Sequence, residues 1–293
     1  MAMRQSRQRV NLVIAFLCAL LLLTFYRNRW SSSQWQQPPS SYLERTPNPT
    51  GDGDVELVVA SQRKDNVTWL NDYLHDWHKS IYVVDDPTNP LTVAENKGRE
   101  ANVFLTYIID RYDSLPGNII FHHAERFQWH NDNPDYDALP LLQRFRFDYL
   151  RNEGYVNLRC VWILGCPVEI RPVKDEAPFK EMEPIHAKHI YRGAFEELFP
   201  ELAVPEEVGV TCCSQFALRR ETIWQRPRSD YVRYRDWLLN SPLEDQLSGR
   251  VLEYSWHSTS HHILLILPPT RIAQRLTRLT TTSDFWQKGC ALP

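Results

Sequence analysis

The twelve residues from Phe121 to Asp132, FHHAERFQWHND, bring His122, His123 and His130 together with Glu125, Arg126 and Trp129. Such a set offers two chemistries. One is proton transfer, because an unperturbed imidazole titrates near pH 6.5. The other is metal ligation through imidazole and carboxylate, a donor set that suits the softer divalent ions better than Mg²⁺. In an extended chain successive side chains alternate between faces, so His122 and His123 point apart and do not easily serve one ion. One of them joined to Glu125, or to His130 after a turn, is the compatible arrangement. Glu125 and His122 are therefore candidate catalytic residues, and His123 and His130 candidate metal ligands. The plainer alternative packs one histidine under the sheet, gives the others strand-end hydrogen bonds and makes Trp129 a core anchor.

Three further groups qualify. Asp85-Asp86 closes an apolar run just before Pro87, where carboxylates suit a ribose or a base amine; an Asp-Pro turn is the rival explanation. Arg99 follows Gly98 at a predicted helix N-terminus, a place where backbone N–H groups bind phosphate, although a solvated first-turn arginine looks the same in sequence. Glu253 and His257 are four apart, a spacing that puts both on one helical face, and His257 is the catalytic candidate of the second half. Cys212-Cys213 is read as a disulfide or as packing, since the sequence places no histidine beside it. No hydrolase elbow, P-loop or dinucleotide glycine motif occurs, which removes those enzyme classes.

The elements that must position these residues alternate. VELVVAS (55–61) has the continuous apolar character of a strand buried on both faces. DNVTWLNDYLHDW follows as a helix with Val67, Leu70, Tyr73, Leu74 and Trp77 on one stripe and Asp65 or Asn66 as its cap. SIYVVDD (80–86) is the second strand. GREANVFLTYIIDRYDSL is a helix facing inward through Ala101, Phe104, Leu105, Ile108 and Tyr112, and NIIFHH is the third strand. This βαβαβ order predicts an α/β, Rossmann-like fold with a single mostly parallel central sheet flanked by helices. Ligands then sit beyond the carboxyl ends of the strands, which are Ser61 to Lys64, Asp85-Asp86 and His122 to Glu125. Arg63 joins the substrate-binding candidates on that ground. Downstream, CVWILGCPVEI reads as a strand, HAKHIYRGAFEELFP as a helix and CCSQFALRRETIWQRP as a strand running into a helix. SDYVRYRDWLLNS and SGRVLEYSWHSTSHHILL are helical, and 54–293 forms one domain.

The chain of 293 residues carries a formal charge of -3, so no basic excess argues for nucleic acid as a partner. Residues 10–26 hold no charged side chain and as a helix would span roughly 25 Å, enough for one short membrane crossing. Arg4, Arg7 and Arg9 in the 1–9 segment predict a cytosolic N-terminus, and the polar, Pro/Ser/Gln-rich stretch 27–53 a flexible stem. The layout is that of a single-pass type II membrane protein, held in the membrane by its N-terminal helix, with an ER or Golgi luminal C-terminal domain. Asn66-Val67-Thr68 is its acceptable N-glycosylation sequon. Five cysteines lie beyond the span, an odd number that leaves at least one unpaired or paired between chains.

Five stretches, ELVVASQRKDNVTWL, NKGREANVFLTYIIDRYDSLP, IIFHHAERFQWHND, CCSQFALRRETI and SGRVLEYSWH, resemble the fungal domain-of-unknown-function family 3431, whose genes sometimes lie among those of secondary metabolism. More distantly the chain is similar to nucleotide-sugar glycosyltransferases of the GT-A type. These also open with a strand, a helix and an acid-ended second strand, and carry a QF before a late helix. The resemblance implies sugar transfer from a nucleotide donor to a small-molecule acceptor, with Asp85 and Asp86 on the nucleoside and Arg99 or His257 on the diphosphate. Where that family places an Asp-x-Asp for a divalent ion, this chain has His122-His123-Ala124-Glu125. A divalent metal ion stays the candidate cofactor, its identity open. The alternatives are a histidine-based metalloenzyme, an oxidase or hydrolase of secondary metabolism, and a non-catalytic luminal binding protein.

Overall fold

The computed structural model describes residues 54–159, 165–166, 168–175 and 185–259. The anchor expected at 10–26, the stem at 27–53, Cys160, Cys290 and most of the strand expected from CVWILGCPVEI lie outside them. Among the described residues no helix is long and apolar enough to cross a membrane.

Strands β1 (Val55–Ser61), β2 (His78–Val83) and β3 (Asn118–His123) form where Val, Ile and aromatic residues recur. Between the first two lies α1 (Thr68–Tyr73), shorter than its sequence pattern suggests, with Tyr73 about half exposed. Asn66 stands upstream of α1 and accepts the Thr68 amide at 3.1 Å. Helix α2 (Glu100–Arg111) links β2 to β3. Its expected single apolar face is a correction: α2 is buried nearly all round, as a helix covered on every side must be. After β3 come α3 (Ala138–Gln143), α4 (Phe147–Glu153) and β4 (Tyr155–Asn157). Then follow α5 (Ala187–Leu198), β5 (Phe216–Arg219), α6 (Arg220–Ile223), α7 (Arg228–Asn240), α8 (Asp245–Glu253) and α9 (Trp256–Thr259).

The five strands make one sheet in the order β2-β1-β3-β5-β4. β1 pairs in parallel with β2 and β3, whereas β5 is antiparallel to both β3 and β4. The sheet is thus mixed, with β5 the one reversed strand. Both faces are covered, which is why β1 reads as an unbroken apolar run. Val55, Leu57 and Val59 pack with Trp69, Leu70, Leu142 and Phe147 on one side. Val58 and Phe121 pack with α2, α5, α7 and α8 on the other. The reversal decides where the site lies. Because β5 runs against β3, its entry segment Cys213-Ser214-Gln215 arrives at the rim where the parallel strands end.

Candidate functional site

Alternation along β3 separates its two histidines as the pleat requires. His122 is buried at 1% exposure and sits edge-on to Trp69, with ring centroids 6.2 Å apart. Its Nδ1 lies 2.7 Å from the His123 carbonyl, which can only accept, so Nδ1 carries the proton. Burial pushes the ring's pKa down to about 4. His123 turns to the opposite side, where its Nε2 donates to the Cys213 carbonyl at 2.7 Å. His130 stacks on it, centroids 4.6 Å apart and planes 25° from parallel. Burial, then His123 and then Arg159, Arg99 and Arg250 hold the His130 pKa down to about 3.

The strand-entry residues bind this group together. The Cys213 amide donates to Glu253 Oε1 at 2.6 Å, and Arg250 Nε lies 3.2 Å from the other carboxylate oxygen. Burial nevertheless raises the Glu253 pKa above the ordinary carboxylate range. Arg159 donates to the Trp129 carbonyl at 3.0 Å, contacts Cys213 Sγ at 3.5 Å and lies over the Trp129 ring. Gln215 Nε2 reaches Asn131 Oδ1 at 3.2 Å, and Trp256 Nε1 reaches Ser214 Oγ at 3.3 Å. Cys212 and Cys213 are joined to each other by a disulfide. Cys213 and Ser214 have φ of 93° and 47°, left-handed conformations that cost a non-glycine residue about 1–2 kcal/mol each. Two such residues in succession persist only where the surroundings over-determine them, and here the disulfide and four side chains do so.

Beside this cluster opens a cleft of about 450 Å³ lined by Arg99, Lys188, Arg250 and His186, with Glu169 as its carboxylate and Tyr254 on its wall. Arg99 reaches it because Gly98 and Arg99 both adopt positive φ, 69° and 57°. The phosphate nest expected at this N-terminus of α2 is already filled: the Gly98 amide donates to Asp245 Oδ1 at 3.1 Å. What Arg99 contributes is its guanidinium, on the cleft side.

The remaining sequence candidates lie elsewhere or in other roles. Asp85 accepts the Arg63 amide at 2.8 Å and pairs with its Nε at 3.6 Å. Asp86 accepts the amide and hydroxyl of Thr88, bonds that lower its pKa. Asp85 thus ties the loop after β1 to the one after β2, and Asp86 closes a turn within the latter. Glu125 is exposed on the loop after β3. His257 is buried in α9, and the helix that was to carry it with Glu253 is broken at Tyr254-Ser255. Asn66 is exposed, its side-chain oxygen 2.8 Å from the Thr68 hydroxyl. The stacked rings of His123 and His130 do not aim their in-plane lone pairs at a common point, and among the described residues no three His, Cys, Asp or Glu side chains are grouped to hold a metal ion. Arg159 and the Cys213 backbone were missed in the sequence because their contacts cross 30 and 40 residues, and Arg250 because the sequence does not show that its helix turn faces Arg99 and Lys188.

Fold and site define a three-layer α/β protein with a polar, arginine-rich rim at the ends of its parallel strands. The chain belongs to the family described as "Protein of unknown function (DUF3431)", which it matches over residues 57–264. Searches of curated proteins and of solved structures returned no match.

Proposed function

We propose that this protein is a glycosyltransferase-like enzyme that takes its sugar from a nucleotide donor and holds the donor's diphosphate in the Arg99–Lys188–Arg250 cleft. The observation that carries the reading is the cleft itself, where two arginines and a lysine face one carboxylate beside the buried Glu253. Guanidinium groups match phosphate oxygens in fork geometry and stabilise the charge that develops on a departing diphosphate. An acceptor hydroxyl attacks the anomeric carbon, the bond from that carbon to the phosphate oxygen breaks, and its electron pair goes to the diphosphate. Glu253 takes the hydroxyl proton. Its raised pKa suits that task, and a phosphate that draws on Arg250 raises it further. Asp85, Asp86 and Arg63 remain the candidates for the nucleoside, and Glu125 and His257 for secondary roles at the rim. In the same reading the 10–26 anchor holds the domain in the ER or Golgi lumen, Asn66 carries a glycan, and the acceptor is a small molecule of secondary metabolism.

The test is calorimetric titration of the full chain in detergent micelles with UDP, GDP, UDP-glucose and GDP-mannose. Binding of at least one nucleotide is expected, weakened about tenfold by Arg99→Gln or Arg250→Gln, the loss of one charge-assisted contact. If none of the four binds, the donor reading fails.

A further inference from the structure

The two adjacent half-cystines stand where β3, α8 and the segment after β4 are tied together. From Cys213 the amide goes to Glu253 on α8, at 2.6 Å. Its carbonyl accepts a hydrogen bond from His123 Nε2 on β3, at 2.7 Å. Its sulfur faces the guanidinium of Arg159 after β4, at 3.5 Å. The residue makes all three contacts from a φ of 93°, and Ser214 follows at 47°. A bond between neighbouring cysteines closes an eight-membered ring around their shared peptide, and that ring restricts the torsions of both residues.

We propose that the Cys212–Cys213 disulfide is a redox-modification site that switches the rim: a dithiol reductant opens the ring and uncouples Glu253 and His123 from Cys213. The proposal rests on the donor-binding reading for its functional consequence, but the switch itself is visible without it. Arg159 gives the reaction a direction. Both cysteines are 5% exposed, so the reductant reaches them when the segment opens locally. The reductant thiolate then attacks Cys212 Sγ, the S–S bond breaks, and the electron pair leaves on Cys213 Sγ, where the guanidinium stabilises the thiolate until it is protonated. The second thiolate of the reductant then displaces Cys212 from the mixed disulfide. Two electrons and two protons have passed to the protein, and the reductant is left as its own disulfide.

Once the ring is open, the left-handed torsion of Cys213 has lost one of its constraints, and return to the ordinary negative φ turns its amide away from Glu253. The carboxylate, no longer hydrogen-bonded on that side, is attracted more strongly to Arg250, 3.2 Å from its other oxygen. Arg250 is a wall of the cationic cleft, so the reduced protein competes internally with any phosphate for it.

The experiment treats the full chain in micelles with dithiothreitol, verifies the state of Cys212 and Cys213 by alkylation and peptide mass, and measures two things. The first is affinity for the best nucleotide of the panel, expected to fall about tenfold on reduction, as for the loss of one charge-assisted contact, and to return on reoxidation. The second is amide hydrogen exchange over residues 211–216 and 250–257, expected to accelerate on reduction. Cys212→Ser/Cys213→Ser should resemble the reduced protein whether or not reductant is present. Cys166→Ser should leave the response intact, and Arg159→Gln should slow reduction. Equal nucleotide affinity in the two redox states overturns the switch. If the oxidised chain binds no nucleotide, the donor reading falls by itself, and unchanged exchange over both segments then overturns the switch as well.

Discussion

His122 shows how far burial alone can convert a candidate catalyst into a structural group. A ring with 1% exposure and a pKa down to about 4 is neutral at pH 7. The linkage follows directly. Above pH 6.5 folded and unfolded chains are both neutral at this position, and nothing changes. Between pH 6.5 and about 4 the unfolded chain takes up a proton that the folded one refuses, so stability is lost as pH falls, and below that the loss levels off. The depressed value corresponds to about 3 kcal/mol. Guanidinium unfolding at pH 7.5, 6, 5 and 4.5 should show that loss in the wild type and a flatter profile in His122→Asn, which keeps an N–H near the Nδ1 position for the His123 carbonyl. Parallel profiles would remove His122 from the acid sensitivity. At this scale the sequence disclosed residue types and the alternation of 122 and 123, and both hold. It did not disclose that Glu253 answers to Cys213, because a hydrogen bond across 40 residues leaves no local pattern.

At the scale of elements, the strands that bury both faces were legible because the apolar run is itself the signature. The segments VELVVAS and NIIFHH coincide with β1 and β3 to the residue. The direction of β5 was not legible, since alternation and propensity are the same for a strand read either way, and only its partners fix it. Nor was the contact that seats α8 against the start of α2. There Gly98 holds φ 69°, and a Cβ on it would meet Leu238 Cδ1 at 2.4 Å. On α8, a Cβ on Gly249 would meet the Gly98 carbonyl oxygen at 3.0 Å. Gly98 makes room for the Leu238 side chain of α7, and Gly249 lets the α8 backbone approach Gly98, which brings Arg250 to the same cleft as Arg99. Gly98→Ala should cost about 1–2 kcal/mol from backbone conformation alone, and more from the collision with Leu238. Gly249→Ala meets backbone that can give by only a few tenths of an ångström and should cost less in stability than in function. The expected signature is nucleotide affinity falling in Gly249→Ala while the unfolding midpoint shifts little. A large midpoint shift with unchanged affinity would separate this contact from the cleft.

Across the whole molecule the site is a lid on an aromatic core. Phe104 of α2 meets Phe121 of β3 at 4.7 Å, Phe216 of β5 at 6.0 Å and Trp256 of α9 at 6.1 Å between ring centroids. Phe216 in turn lies 5.2 Å from Trp256, whose indole N–H reaches Ser214 beside the disulfide. Packing at this density transmits a change in volume, because a void removes contacts outright and the surrounding rings relax only in part. Phe104→Ala, at 0% exposure, should therefore cost about 3–5 kcal/mol of stability. Phe104→Leu, closer in volume, should cost clearly less. The two variants also test how the rim is supported. If Trp256 is held by the core, the cavity left in Phe104→Ala lets its ring tilt and weakens the 3.3 Å bond to Ser214, so exchange of the 211–216 amides should quicken at denaturant concentrations far below the unfolding transition. Trp256→Phe removes the donor but keeps most of the ring, and should quicken the same amides with a stability loss of only about 1 kcal/mol. Local quickening in Trp256→Phe without global loss, set beside global loss in Phe104→Ala, would show that the core determines stability and that the Trp256–Ser214 bond holds the Cys213 segment in its left-handed conformation. If Trp256→Phe left those amides unchanged, the disulfide and its polar contacts would be sufficient to hold the segment.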